Sequence, residues 1–187
     1  MPDRLYFTDS DEANELLARE PVALLIGFVL DQQVTVQKAF SSPLELQRRL
    51  GTLEPARIAA TDPAELDRLF REKPALHRFP GTMAERTQAL CEALVADYDG
   101  DATRIWRDAV DARDLERRLL ALPGIGPMKV RSLLAILGKR FGIKPAGWDE
   151  VAPSHHTLGD VDSPEALTSY QEAKRAYKAK LRAADGA

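Results

Sequence analysis

Between Leu115 and Phe141 apolar residues return every three or four positions, and the rhythm breaks once, at the LPGIG of Leu122–Gly126. Leu115, Leu119 and Leu122 mark one apolar face before the break, and Val130, Leu133, Leu134, Leu137 and Phe141 mark another after it. A helical period on both sides of so short a turn predicts two helices folded back on each other, each covering the other's apolar face. Gly124 and Gly126 allow positive φ and a close backbone approach. Pro127 suits the first turn of the second helix, where its missing N–H would have had no partner. The other N–H groups at that helix start, together with the positive end of the peptide dipoles, form an anion site.

The local charge points the same way. The whole chain carries a formal −3, which taken alone argues against a polyanionic partner. From Arg113 to Lys144, however, eight basic residues face only Asp114 and Glu116, a net of +6. Local sign, not the total, sets the field that a polyanion meets. A DNA phosphate is the natural occupant of the turn, held without reading base sequence. The expected contact residues are Leu122, Pro123, Gly124, Ile125, Gly126, Met128, Lys129 and Arg131. The alternative is a plain αα-hairpin with nothing bound.

The remaining segments read as helices too, so the expected class is all-α. SDEANELLARE opens on Ser10 as an N-cap, PVALLIGFVLDQQVTVQKAF is apolar on all sides until it meets DQQ, and SPLELQRRLG is a short helix closed by Gly51. DPAELDRLFRE starts with an Asp cap and a proline, HRFPGTM is a turn, and AERTQALCEALVADYDGD is a long helix ended by Gly100. IKPAGWDEVAPSHHTLGDVDSP reads as a loop and PEALTSYQEAKRAYKAKLRAA as a last helix. The 187 residues fit one domain or two small lobes, with a boundary near TDP or FPGT. The longest apolar run, Val22–Leu30, is too short to span a bilayer, and the acidic N-terminus lacks the order of a secretory signal. A cytoplasmic monomer without membrane association is expected. The single cysteine, Cys91, excludes an internal disulfide and a four-cysteine iron–sulfur or zinc site, and its apolar neighbours make it a core thiol.

LPGIGPMKVRSLLAILG resembles the helix–hairpin–helix of the DNA base-excision glycosylases, the HhH-GPD superfamily. In that family the hairpin precedes a Gly/Pro-rich loop and then a catalytic Asp, and here GIKPAGWDEVAP follows with Asp149. LLIGFVLDQQVTVQKAF is similar to the family's early buried helix, which ends in a Gln-Gln pair near the base pocket. MAERTQAL is similar to a segment in which a basic residue precedes an amphipathic helix. The likeness covers most of the chain, and a small actinobacterial-type branch is the nearest match in kind. It implies a two-lobed helical fold in one HhH-GPD-like domain over 1–187, with the helix–hairpin–helix at about 113–142. It also implies double-stranded DNA with a lesion as partner, and a monovalent cation at the hairpin when DNA is bound.

The implied chemistry needs a carboxylate near C1′ of a flipped nucleotide, to stabilise positive charge on the sugar and to activate water. Asp149 is the first candidate, Glu150 an adjacent rival and Asp31 a third. Asp149 departs from the family's pattern, since Trp148 precedes it and EVAPSHH, without a nearby Arg, follows. Its alternative role is a solvated loop acid or helix cap, and that of Asp31 is the polar end of a buried helix. Gln32 and Gln33 either contact a flipped base or its opposite partner, or satisfy backbone groups at a bend. Trp148 is either a wedge or stacking surface in the base pocket, worth ~1–3 kcal/mol per stacked base, or a core residue. Bifunctional members carry a lysine just after the second hairpin glycine, with one residue between, and here that position is Met128. Lys129 is turned about 100° further around the helix and is expected to face phosphate, so a monofunctional enzyme is expected. Trp106 reads as core, His155-His156 as solvated rather than metal-binding, and the basic stripe Lys174, Arg175, Lys178, Lys180 and Arg182 as a solvated face or an extension of the DNA footprint.

Overall fold

A computed structural model describes residues 2–185, with the backbone alone for Lys178 and for 181–185; among these residues every regular element is helical. The chain is all-α, as its periodicity predicts. Helix α1 (Asp11–Arg19) starts where the Ser10 hydroxyl accepts from Ala13 N at 3.3 Å. Helix α2 (Pro21–Leu30) buries every residue from Val22 to Leu30, and α1, α3 and α6 pack around it.

Helix α3 (Val36–Leu50) is capped by the Thr35 hydroxyl on Lys38 N at 3.2 Å and runs straight through Pro43. The sequence pattern predicts a separate short helix there. An interior proline costs about 3 kcal/mol. Burial of Val36, Phe40, Leu44 and Leu46 on one side of the helix outweighs it, at about 1.5–3 kcal/mol per large side chain. Phe40 stands edge-on to both Phe7 and Phe28, with ring centroids 5.1 Å apart in each pair.

Helices α4 (Pro55–Ala59) and α5 (Pro63–Arg71) follow, the latter capped by Asp62 Oδ1 on Ala64 N and Glu65 N. Helix α6 (Pro80–Tyr98) takes in most of the HRFPGTM segment that reads as a turn, because Pro80 opens it. Then come α7 (Arg104–Arg107), α8 (Ala112–Leu120) and α9 (Pro127–Lys139), the last two being the helices on either side of LPGIG. The segment expected to be a loop contains α10 (Trp148–Val151) and a 3-10 turn, Leu158–Asp160, packed on α9. Helix α11 (Pro164–Asp185) closes the described chain. Buried residues from Leu5 to Leu167 form one cluster. Among the described residues no helix is long and apolar enough to cross a membrane.

Candidate nucleic-acid interface

The hairpin is fixed to the body by a close approach. Gly124 takes φ +79°, and a Cβ there would stand 3.2 Å from Val29 Cγ2, near the C-terminal end of α2. Leu122 and Ile125 turn their side chains into the core, so of these two expected DNA contacts only the backbone is available. Gly126 differs from both. Its backbone is extended, φ −94° and ψ 176°, so it does not use the positive φ expected from the sequence. A Cβ on it would meet nothing within 4 Å. Folding therefore explains Gly124 and leaves Gly126 unexplained, facing open space. Gly126 is also the N-cap of α9 and supplies no side-chain acceptor. The N–H groups of Met128 and Lys129, in the first helical turn, have no intrahelical carbonyl to meet. Met128 itself is 81% exposed, Pro127 and Arg131 are exposed, and Pro123 is half-buried.

Hairpin and DQQ bend meet in one groove. About 360 Å³ in volume, it is lined by Gln32, Arg86, Gly124, Gly126, Pro127, Met128 and Lys129. The Arg86 guanidinium donates to Gln32 Oε1. His77 Nε2 lies 3.0 Å from Gln32 O, while Phe79 N donates to His77 Nδ1 at 3.0 Å. Nδ1 is thus an acceptor, and the neutral ring with its proton on Nε2 satisfies both contacts. Burial holds the His77 pKa below the usual histidine range. The imidazole fastens the bend to the entry of α6, and Gln33, at φ +57°, completes the bend in a conformation that non-glycine residues seldom adopt. Gln33 is exposed and does not line the groove.

Lys129 departs from its expected course toward phosphate. Its Nζ folds back over the turn and donates to Gly124 O at 3.1 Å and Val29 O at 3.5 Å. The last carbonyls of α2 have no helical donor and form the negative end of its dipole, which draws the ammonium in. Burial pushes the Lys129 pKa down; Asp31 opposes that shift and Arg86 reinforces it. Asp31 is half-buried and close enough to act electrostatically on both Lys129 and Tyr170.

Three other expected site residues lie elsewhere. Trp148 is 8% exposed; its ring covers Gly138, near the C-terminal end of α9, and its indole N–H donates to Leu134 O at 3.3 Å. It packs as a core residue, with Lys144 Nζ 4.8 Å above its ring, and does not line the groove. Asp149 is exposed on α10, which packs on α8 and α9, and does not line the groove. Glu150 pairs with Arg113 at 3.5 Å.

The +6 of the 113–144 window is also smaller in space than in sequence. Two acids from outside the window reduce it, Glu150 by pairing with Arg113 and Asp160 with Lys139, while Arg117 and Arg118 share the buried carboxylate of Asp114, which the count already includes. Arg131 and the inturned Lys129 remain near the hairpin, joined by Arg86 from α6. A larger hollow of about 470 Å³ is lined in part by Glu20, Glu54 and Asp101, carboxylates that repel a polyanion. Cys91 is buried, its thiol pushed up to about 12 by burial; Trp106 packs on the core, and His155 and His156 are exposed.

Sequence reasoning missed Arg86, His77 and Tyr170. The basic position in MAERTQAL was the available signal for Arg86. Nothing in ALHRFPG marks His77 as a backbone clamp, because its partner Gln32 O is 45 positions away.

A helical body that brings a glycine hairpin and the polar end of a buried helix onto one groove defines a helix–hairpin–helix protein. The chain belongs to the HhH-GPD superfamily of base excision DNA repair proteins, whose family model matches residues 26–183. Neither a curated protein nor a solved structure matches it significantly.

Proposed function

We propose that the protein is a DNA glycosylase of base-excision repair, which flips a damaged or mispaired base out of the duplex and releases it without lyase activity. The observation that carries this reading is the single groove shared by the hairpin, Gln32 and Arg86, with Asp31 beside it. The free amides of the hairpin and Gly126's open approach bind backbone phosphate, and Arg86 and Arg131 add charge. Those contacts offset the few kcal/mol needed to unstack the base. Gln32 and Arg86 meet the flipped nucleotide. The Asp31 carboxylate stabilises the cationic sugar as the N-glycosidic bond breaks, and it directs water to C1′. Asp149, the first carboxylate weighed for this role, is disfavoured by its place on α10, beside the C-terminal half of α9, whereas Asp31 acts electrostatically on the groove's Lys129. Met128 at the lysine position of bifunctional members supports hydrolysis without strand cleavage.

A second reading is a non-catalytic DNA-binding protein. The Lys129 ammonium favours it, since it already supplies positive charge next to Asp31. Incubation with duplexes that carry a panel of damaged and mispaired bases separates the two. Release of one base that is lost in Asp31→Asn supports the enzyme, and tight binding without release of any base supports the second reading.

A further inference from the structure

Ten residues of α11, Ala173–Arg182 (AKRAYKAKLR), hold five basic side chains and no acidic one. The start of the same helix is anchored. Leu167 is buried, and the Gln171 amide donates to Gln37 Oε1 at 2.6 Å. Tyr170 is half-buried near Asp31, its ring 5.8 Å from that of His156. Past Gln171 the described side chains as far as Lys180 are exposed. Tyr170, Lys174 and Tyr177 are spaced four and then three apart, which places them on one helix face. Lys174 Nζ sits 5.6 Å from the Tyr170 ring, and Tyr177 is 64% exposed. The face on which Tyr170 approaches Asp31 thus continues, uncovered, as a lysine and an aromatic ring. Lys178 falls on it by spacing, although its side chain, like that of Arg182, lies outside the described ones.

From these features we infer that the second half of α11 is a duplex-DNA-binding arm, which extends the hairpin groove along the backbone of the same DNA molecule. It rests on the reading of the groove as a DNA site. A solvated helix face normally intersperses acids that pair with its bases three or four residues away. Here five like charges occupy about 15 Å of helix with acids only at its two ends, Glu172 and Asp185, and repel one another. A duplex, with one phosphate charge per ~1.7 Å of axis, relieves that repulsion. A second copy of the same basic face would add to it. The arm also begins three residues past Tyr170, which lies close to Asp31, the neighbour of Gln32 in the groove, so that DNA held at the hairpin reaches it.

The test is fluorescence anisotropy of the full-length protein on a labelled, undamaged duplex, titrated over a range of salt concentrations. The variants are a fivefold K174Q/R175Q/K178Q/K180Q/R182Q change, Tyr177→Ala and Gly126→Asp, each checked for helix content by circular dichroism. For every phosphate that a variant no longer neutralises, the slope of log K against log salt should flatten by about 0.9. The fivefold variant is expected to lose about 2–4 from that slope and to bind at least roughly tenfold more weakly near physiological salt. An unchanged slope and affinity in the fivefold variant, with Gly126→Asp still impaired, overturns the arm and leaves the hairpin reading standing. Absence of wild-type binding even at low salt overturns both. Stronger wild-type binding to phosphatidylserine vesicles than to the duplex, abolished in the fivefold variant, overturns the arm in favour of a membrane surface.

Discussion

The two ends of α9 are built from similar materials and finished differently. At the C-terminal end most polar groups are engaged by the protein itself: the Trp148 indole by Leu134 O, Lys139 by Asp160, Glu150 by Arg113, with the buried Arg140 Nε the exception. At the N-terminal end the backbone N–H groups of the first turn lack helical partners, Gly126 opens onto empty space, and Gln32 and Arg86 border the same groove. Asp149 sits at the finished end and Asp31 at the unfinished one. Carboxylate chemistry needs a place for a substrate, and the groove lies at the second end.

The sharpest way to break this contrast is to exchange the fates of the two carboxylates. Asp31→Asn is expected to lower base release at least about 100-fold, the usual scale for losing a transition-state charge contact, with duplex affinity little changed. Asp149→Asn is expected to stay close to wild type in the same single-turnover assay. The reverse outcome would move the site to the far end of α9.

Gly126→Asp comes next. It should weaken binding to all duplexes alike, about tenfold or more, because a carboxylate then occupies the phosphate approach. Its melting temperature should hold or rise slightly, since Asp is a better N-cap than Gly by a few tenths of a kcal/mol. A large loss of stability would mean that Gly126 serves the fold.

At the finished end the pattern inverts. Gly138→Ala places a methyl group in the Trp148 ring and should cost about 1–3 kcal/mol in chemical denaturation, with duplex affinity retained.

His77 gives a smaller, pH-dependent signal. Its pKa is lowered in the folded state, so below the ordinary value of 6.5 the unfolded chain takes up the proton first. The stability it contributes is present above that pH and declines as pH falls through the window below it. His77→Gln should make the unfolding midpoint less dependent on pH between 7 and 5. An unaltered pH dependence would show that the ring is not the clamp described. The smallest expected signal is none at all: borohydride reduction on a duplex with an abasic site should trap no covalent adduct. An adduct that disappears in Lys129→Ala would make the inturned amine a nucleophile and the enzyme bifunctional.

The fold was largely legible because helical rhythm, caps and prolines are local. Ser10, Asp62 and Pro127 each start a helix where the sequence placed one. What went astray was decided by distant packing. Pro43 lies within α3 because that helix buries a face against α2. Trp148 is core because Gly138 leaves room for its ring. For the site, both motifs could be read, but not their contact. The sequence shows a positive residue at 129 and cannot show that the carbonyls of a helix a hundred positions earlier would draw it inward. Charge counted along the chain likewise overstated charge in space, since Glu150 and Asp160, beyond the counted window, pair with Arg113 and Lys139.

Val29 and Gly124 have a further consequence, for the order of events in synthesis. One wall of the groove is made early in translation and the other after most of the chain has emerged. The groove therefore does not exist on a chain that has not yet added the hairpin, even where α1 to α6 have already formed. On the reading of the groove as a DNA site, a duplex engages only molecules in which the hairpin has docked on α2. By mass action a duplex at a hundred times its Kd would add ~2.7 kcal/mol to their stability and nothing to that of partial ones.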